Sequence, residues 1–322
     1  PWAVEKPRPT DEDVRQALRA AAPHLANAPV SFLAEGWEFW AFRAGDHVLR
    51  FPKREGTSAW KLGGRTSAQS LRLEHALTPR LAPALSVPIA VTSIFAEQGP
   101  NGAPFAGHAF LEGEIVLYAS RRPSPRFGFQ FGRLLRELRG FPAATALSLG
   151  VPLFDGPRLR EDRSRHYEDV IKRVFPRVSC EARSHIEAVY EAYLNDNASF
   201  AFQPVLVHTD LAVNTLIHPV TGDLCGVIDF GDAAVSSPAL DLWLPVFGFE
   251  ALAIEEQRPA CLREAGIDDA ALARMMPELR FLDIRYPLLG ILHGLDIGDD
   301  VYVRDGIQEL EALLRRGQRR PG

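Results

Sequence analysis

The stretch that decides the fold runs from Val205 to Trp243, VLVHTDLAVNTLIHPVTGDLCGVIDFGDAAVSSPALDLW. Its apolar runs at 204–207, 215–218 and 224–228 have the length and β-branched content of short strands. Residues 221–223, Thr-Gly-Asp, supply the turn between the second and third runs. The sequence therefore predicts a hairpin whose ends bring two polar segments together.

Those polar segments carry Asp210, Asn214 and Asp229. Two carboxylates and an amide at strand ends suit a hard divalent cation such as Mg²⁺, which prefers oxygen ligands and leaves room for phosphate oxygens. The alternative is a polar hairpin with solvated carboxylates, which is the more common setting of any single aspartate.

The order of motifs is more specific than any one residue. His-x-Asp-Leu at 208–211 precedes Asn-x-Leu-Ile at 214–217, and GVIDFGDA and PALDL follow at 226–233 and 238–242. This arrangement resembles the catalytic core of the aminoglycoside phosphotransferase family. The resemblance implies an α+β, bilobal, protein-kinase-like fold with a small antiparallel-sheet lobe and a larger, mainly helical lobe. We expect a nucleotide-binding lobe at 1–111 and a catalytic and substrate-binding lobe at 112–322.

The resemblance assigns roles within this core. Asp210 corresponds to the catalytic base that accepts or orients the proton of the substrate hydroxyl, and Asn214 and Asp229 correspond to ligands of Mg²⁺. His208 and Asp241 are expected to have structural roles, with Asp241 bracing the catalytic loop.

One departure concerns the catalytic loop. The family places its asparagine five residues after the aspartate, whereas Asn214 follows Asp210 by four. We place the deletion within residues 211–213, which keeps Asn214 as the ligand. Retaining the forward spacing would instead put Thr215 at the metal position. A shortened loop is also compatible with altered or lost activity.

The sequence of the N-terminal third predicts a capped helix that begins after Thr10. It also predicts a small antiparallel sheet formed by residues 30–35, 37–44 and 46–51. By the resemblance, the turn at Gly36 covers the nucleotide phosphates. The alternative is a plain hairpin turn.

The third strand should direct a cation at the phosphates. Arg50 occupies the position where the family commonly has lysine, and Lys53, beyond Pro52, is the second candidate. A helix predicted at 67–81 carries Glu74, which resembles the glutamate that pairs with this cation. The alternative for each is an exposed surface charge.

Further strands are predicted at 86–95 and 105–111, followed by a hinge between the lobes. By the resemblance, the nucleobase bonds backbone groups near Phe110 and Glu112. Backbone recognition leaves no trace that distinguishes ATP from GTP.

The second lobe should be helical. An apolar stripe predicts a buried helix at 126–141, and two amphipathic segments fall within 159–195. Later helices are predicted at 251–254, 270–276, 281–295 and 307–314. The residues between the last two form an expected acidic loop beside Tyr302. Its carboxylates, with that of Asp232, are candidates for contact with a cationic substrate, and the alternative is a solvated loop. The loop candidates are Asp296, Asp299 and Asp300.

Composition narrows the class of protein. The 322 residues are 46% hydrophobic and carry a formal net charge of −5, so no global basic footprint for nucleic acid is present. Three widely spaced cysteines match no zinc or disulfide pattern, and no run of about 18 apolar residues occurs. We therefore expect a cytoplasmic protein without nucleic-acid or membrane partners.

The favoured function is a nucleotide-dependent kinase that transfers the γ-phosphate of ATP or GTP to an aminoglycoside hydroxyl, most similar to the 2''-phosphotransferases. The alternatives are a macrolide, homoserine or choline kinase and a non-catalytic nucleotide-binding homologue. A metal-dependent hydrolase is a further alternative, and it would use His208, Asp210, Asp229 and Asp232 as ligands.

Overall fold

The chain begins with a helix whose start is fixed by a capping box. In the computed structural model, which describes residues 5–54, 56 and 61–317, helix α1 spans Asp11–Ala21. The Thr10 side chain accepts from the Asp13 amide, while the Asp13 carboxylate accepts from the Thr10 amide at 2.8 Å. This reciprocal pair satisfies two backbone donors that a helix start leaves unpaired.

An antiparallel sheet follows, and in the described part of the chain it has five strands in the order β1-β2-β3-β5-β4. Helix α2 (Ser67–Leu81), predicted with the same bounds, packs beside β4. Aromatic side chains such as Trp40, Phe42 and Phe51 fill the space between the sheet and α1. The strands are β1 (Val30–Glu35), β2 (Phe39–Ala44), β3 (His47–Pro52), β4 (Thr92–Ala96) and β5 (Phe105–Ala109).

After β5 the chain crosses to short strands that carry the ordered motifs of residues 205–243. Strand β6 (Glu114–Ile115) pairs with β8 (Thr215–Ile217), which forms the predicted hairpin with β9 (Leu224–Val227). Strand β7 (Val205–Val207) pairs instead with β10 (Ala234–Ser236), which was not predicted. The two pairs hold the segments after β7 and β9 side by side.

The remainder of the chain is helical. Phe127, Phe131, Leu134, Leu135 and Leu138 of α3 are buried, as their spacing predicted. The helices are α3 (Phe127–Gly140), α4 (Ala143–Ser148), α5 (Gly156–Arg173), α6 (Cys180–Leu194), α7 (Phe249–Ala251), α8 (Arg258–Glu264), α9 (Asp269–Ile297) and α10 (Asp300–Gly317). The predicted α+β architecture, with a sheet-rich N-terminal part and a helical C-terminal part, is confirmed.

The prediction of separate helices at 270–276 and 281–295 was wrong. One helix, α9, runs through Pro277 and Pro287 and continues to Ile297, and Gly298 closes it with a left-handed φ of 72°. The predicted acidic loop is consequently reduced to a tight connection before α10. Proline removes a helical hydrogen bond, but packing of α9 against α6 and α10 outweighs that local loss.

Among the described residues, no helix combines the length and apolar character needed to cross a bilayer. Residues 57–60 of the polar segment at 57–64, which we expected to be a mobile loop, lie outside the described residues, as do residues 318–320 of the basic tail at 315–320.

Candidate active site

The loop after β7 is held from beneath by one carboxylate. The amides of His208 and Thr209 donate to the two oxygens of Asp241 at 2.8 and 2.7 Å. The Asp241 carboxylate is buried, and these two bonds satisfy it within the protein. This is the bracing contact predicted from the sequence.

The imidazole of His208 joins the two polar segments. It is fully buried, its Nδ1 accepts from the Asp210 amide at 3.2 Å, and its Nε2 lies 2.9 Å from the Ile228 carbonyl oxygen. Because Nδ1 accepts, the ring proton resides on Nε2, which donates to Ile228. Both ring nitrogens are therefore occupied, and His208 is not free to be the metal ligand that the hydrolase alternative requires.

Asn214 is oriented by Asp210. Its amide nitrogen donates to the Asp210 carbonyl oxygen at 2.9 Å and to Asp210 Oδ2 at 3.1 Å. The hydroxyl of Thr215 donates to the Leu211 carbonyl at 2.7 Å, and the Thr215 side chain is fully buried in β8. The shortened loop folds as a 3₁₀ turn at Leu211–Val213, and its geometry favours Asn214 over Thr215 as a ligand.

Backbone strain is concentrated in these two segments. Of the described non-glycine residues, Thr209 and Asp229 have φ of 75° and 62°, in the left-handed region, and Ala253 is the third such residue. Each such conformation costs about 1–3 kcal/mol and persists where surrounding contacts hold it. The bonds to Asp241 supply that hold at Thr209.

Arg50 links the sheet to Asp229. Its guanidinium forms an ion pair with Glu74 of α2, and its Nη1 also donates to Asp229 Oδ1 at 3.0 Å. The predicted partner of the strand cation is therefore in place. The Asp229 side chain is 42% exposed, so one oxygen-bearing group at the end of β9 faces the cleft.

The carboxylates of the cleft influence one another. Burial, together with the charges of Asp232 and Asp229, raises the pKa of Asp210 well above its usual range. Burial would also raise the pKa of Asp229, but the cations Arg50 and Lys61 outweigh it and lower that pKa. The result is one readily protonated carboxyl beside one that stays ionised.

The donor set fits Mg²⁺. Asn214 and Asp229 offer oxygen atoms, and a divalent cation would relieve the repulsion between neighbouring carboxylates. Within the described ranges, no group of three or more His, Cys, Asp or Glu side chains forms a metal cage. Mg²⁺ does not need one, since it commonly keeps one or two protein ligands and takes the rest from phosphates and water.

The sequence analysis missed Lys61. This buried ammonium forms an ion pair with Glu38, contacts Asp232 Oδ1 at 2.9 Å and donates to Ser70 Oγ at 2.8 Å. Burial would lower its pKa, but the two carboxylates outweigh burial and raise it, so the lysine is charged. The carboxylate of Asp232, which was predicted to contact substrate, thus forms an ion pair with Lys61. A lone lysine in a polar loop gave no signal of these distant partners.

Lys53 and Gly36 meet at the turn between β1 and β2. Lys53 forms an ion pair with Glu35 and donates to the Gly36 carbonyl at 3.3 Å, so it lies on the turn and not at Asp229. A Cβ at Gly36 would make only an ordinary contact, 3.8 Å from the Phe39 oxygen. Packing within the protein does not require glycine there, which leaves close approach of a ligand as its candidate role.

The segment predicted as the hinge, 110–113, joins β5 to β6. The Phe110 amide donates to the Asp46 carbonyl at 2.7 Å, and the Arg43 guanidinium lies 4.0 Å above the Phe110 ring. The Glu112 carbonyl accepts from Cys225 Sγ at 3.3 Å. The Phe110 amide is therefore already engaged and does not offer the bond that we expected it to make with a nucleobase.

The acidic residues near the end of α9 separate into two groups. Asp296 pairs with Arg173 of α5 at 2.6 Å, which draws its carboxylate away from the cleft. Asp299 accepts from the Val301 amide at 2.8 Å and caps α10. Asp299 and Asp300 line a cavity of about 530 Å³ together with Glu5, Glu35, Trp37, Lys53, Arg54, His293, Ile297, Gly298 and Tyr302.

A second missed group lies near the catalytic loop. Trp243 donates from Nε1 to Asp283 Oδ1 at 2.9 Å, and its ring meets Tyr286 edge-on at 5.0 Å. Burial and the charge of Asp210 raise the pKa of Tyr286, and the same two causes act on the exposed Tyr118. Tyr286 and Tyr118 thus respond to the charge of Asp210, and Trp243 and Asp283 adjoin Tyr286. Their spread over the chain hid the cluster from sequence reasoning.

Together, the Arg50–Glu74 pair on the sheet and the facing Asp210, Asn214 and Asp229 define a kinase-like phosphotransferase site. The profile of the Phosphotransferase enzyme family (APH) matches residues 29–282, which is most of the chain. The chain belongs to that family, as the order of its motifs predicted, and it is an enzyme of the phosphotransferase class.

Solved structures support the same assignment. The chain is similar to APH(2'')-IIIa in complex with GDP and kanamycin, with 26% identity, a TM-score of 0.77 and coverage of 93% of this chain and 97% of that one. It is also similar to wild-type aminoglycoside 2'-phosphotransferase-IIIa in complex with GDP, with 25% identity, a TM-score of 0.77 and coverage of 94% and 98%.

A macrolide phosphotransferase shares the fold. Macrolide 2'-phosphotransferase MphH from Brachybacterium faecium has 22% identity, a TM-score of 0.64 and coverage of 91% of this chain and 97% of that chain. No curated protein matched this chain.

Proposed function

We propose that this protein transfers the γ-phosphate of ATP or GTP to a hydroxyl of an aminoglycoside, using Mg²⁺. The observation that carries the proposal is that Asp210 and Asn214, which bond each other, lie on the segment beside the one that holds Asp229, and that Arg50 of the sheet donates to Asp229. The relatives of similar length that contain GDP and kanamycin support the donor and acceptor classes.

In the proposed reaction Asp210 holds the acceptor hydroxyl in line with the γ-phosphate. Its raised pKa suits a group that accepts a proton as the oxygen–phosphorus bond forms. Arg50, fixed by Glu74, clamps the phosphate oxygens of the donor. Asn214 and Asp229 would hold Mg²⁺, which when bound neutralises charge on the phosphates. Residues 1–111 would form the nucleotide lobe and residues 112–322 the catalytic lobe.

A polycationic acceptor suits the surroundings of Asp210. Asp283 lies beside the Trp243 and Tyr286 rings, and carboxylates with aromatic faces bind ammonium groups by charge and by cation–π attraction. The donor nucleotide and the free thiols of Cys180, Cys225 and Cys261 fit a reducing cytoplasm.

Nucleotide turnover with defined acceptors tests the proposal. The purified protein, Mg²⁺ and either ATP or GTP are combined with kanamycin, gentamicin or a macrolide, and the release of ADP or GDP is measured. We expect release that depends on both an aminoglycoside and Mg²⁺. Stimulation by the macrolide alone would reassign the acceptor, and nucleotide binding without any stimulated turnover would indicate a non-catalytic homologue.

A further inference from the structure

One face of α9 connects the group around Trp243 with the 530 Å³ cavity. With 3.6 residues per turn, Asp283, Tyr286, Gly290, His293 and Ile297 fall within an arc of about 80°. At 1.5 Å per residue the first and last of them are about 21 Å apart along the axis. We call these five residues the α9 stripe.

The two ends of the α9 stripe have different surroundings. At the first end, Asp283 and Tyr286 contact Trp243. The charge of the Asp210 carboxylate also contributes to the raised pKa of Tyr286. At the other end, His293 stacks on Trp37 of the β1–β2 turn, with ring centres 4.3 Å apart and planes 6° from parallel. His293 and Ile297 also line the 530 Å³ cavity.

Gly290 lies between these ends and is the unusual member. A Cβ added there would meet no atom of the described residues within 4 Å. By contrast, a Cβ at Gly294 would come within 2.8 Å of the Asp299 oxygen, and one at Gly306 within 2.8 Å of the Pro287 oxygen. Packing explains Gly294 and Gly306. It does not explain Gly290, although glycine inside a helix is less stable than alanine.

The 530 Å³ cavity has the chemistry of a cation site. Four carboxylates, from Glu5, Glu35, Asp299 and Asp300, face two cations, Lys53 and Arg54. Both cations already pair with the glutamates, since Lys53 binds Glu35 and Arg54 binds Glu5. The two aspartates therefore leave an excess of negative charge beside the rings of Trp37 and Tyr302, which also line the cavity.

We propose that the α9 stripe is the wall of one acceptor groove and that Gly290 is its specificity-determining residue. The phosphorylated ring lies at Asp210, the next part of the acceptor crosses over Gly290, and a distant protonated amino-sugar ring occupies the 530 Å³ cavity. This inference rests on the proposed function and adds to it the length and charge distribution of the acceptor.

A size series at Gly290 tests the inference. Gly290→Ala, Gly290→Leu and Gly290→Phe are compared with Gly140→Ala and Gly140→Leu, because Gly140 is also helical and also has no atom of the described residues within 4 Å of an added Cβ. We expect the KM for kanamycin to rise with side-chain size, by about tenfold or more at Phe, as for other overfilled sites. The KM for nucleotide and the Gly140 variants should stay unchanged.

A charge substitution tests the distal end. Asp300→Asn should weaken the binding of kanamycin and leave the binding of a two-ring aminoglycoside fragment unchanged. The fragment is too short to reach the 530 Å³ cavity. Equal weakening of both acceptors would overturn the placement of the distant ring.

The outcomes separate the inference from the proposed function. If the unmodified protein phosphorylates no aminoglycoside, the proposed function fails and the inference fails with it. If the unmodified protein is active and Gly290→Phe keeps the same kanamycin KM, only the inference fails. A parallel rise in the KM for nucleotide would assign Gly290 to the stability of the lobe and would also overturn it.

Discussion

Asp210 is the residue on which the proposed chemistry depends. Asp210→Asn keeps the size of the side chain and the bond to Asn214 but removes the proton acceptor. We expect turnover to fall by about 10²–10⁴-fold, with nucleotide affinity retained. Steady-state kinetics and nucleotide titration measure the two effects, and Asp305→Asn, on the exposed face of α10, is the control. Unchanged turnover would remove Asp210 from the role of base.

Arg50 has two partners, and its replacement separates them. Arg50→Met leaves Glu74 buried without its cation, which should destabilise the fold by about 3–5 kcal/mol. Arg50→Lys keeps the charge and should retain most of that stability while losing the planar contact to phosphate oxygens. Urea denaturation measures the loss of stability, and nucleotide titration measures the loss of phosphate binding. Equal effects of the two substitutions on both measurements would contradict the double role.

Much of the site could be predicted residue by residue. Asp210, Asn214, Asp229 and Asp241 follow from the order of motifs along one continuous stretch. Asp232 and Asp296 were selected for their acidity alone, and the structure pairs them with Lys61 and Arg173. Sequence shows that a charge exists but not which distant charge it meets.

Among the elements, the β1–β2 turn is tied to α9 through aromatic rings. Trp37 stacks on His293, and Tyr302 of α10 meets both rings edge-on, at 6.0 and 5.1 Å. The sequence analysis kept His293 within the predicted helix at 281–295, but no local pattern indicated that its ring meets Trp37 of the distant β1–β2 turn. Tertiary packing, which no local pattern encodes, decided the length of α9.

The stacked pair predicts a pH dependence of stability. Burial and the cations Arg54 and Lys53 lower the pKa of His293 to about 4, although Asp299 opposes them. Between pH 6.5 and 4 the unfolded chain therefore binds more protons than the folded one, and stability rises with pH across that window. We expect the Tm to fall as pH decreases from 6.5 towards 4, and His293→Phe to reduce the slope. Identical slopes would show that His293 does not contribute.

At the scale of the whole molecule, buried charges connect the sheet-rich part to the catalytic segments. Arg50 reaches Asp229, and Lys61 joins Glu38 to Asp232. Burial raises the pKa of Glu38 to about 7 even beside Lys61. The division into two lobes stays a prediction, but ion pairs as well as apolar packing join the sheet-rich part to the catalytic segments.

Removing the central ammonium should loosen this connection. Lys61→Met leaves two carboxylates facing each other, and we expect a loss of about 3–5 kcal/mol of unfolding free energy. The double variant Lys61→Met with Glu38→Gln removes one of those charges and should recover part of the loss. Denaturant unfolding measures both proteins. If the second substitution lowers stability further, the two charges do not act as a pair.

The guanidinium of Arg50 also gives the cleft an internal counter-ion. It rests against Asp229, the carboxylate that would hold Mg²⁺ in the proposed reaction. Nucleotide binding would then exchange one cation for another at the same carboxylate, and the released guanidinium would face the incoming phosphates. The cost of separating one ion pair would thus be offset by the formation of the next.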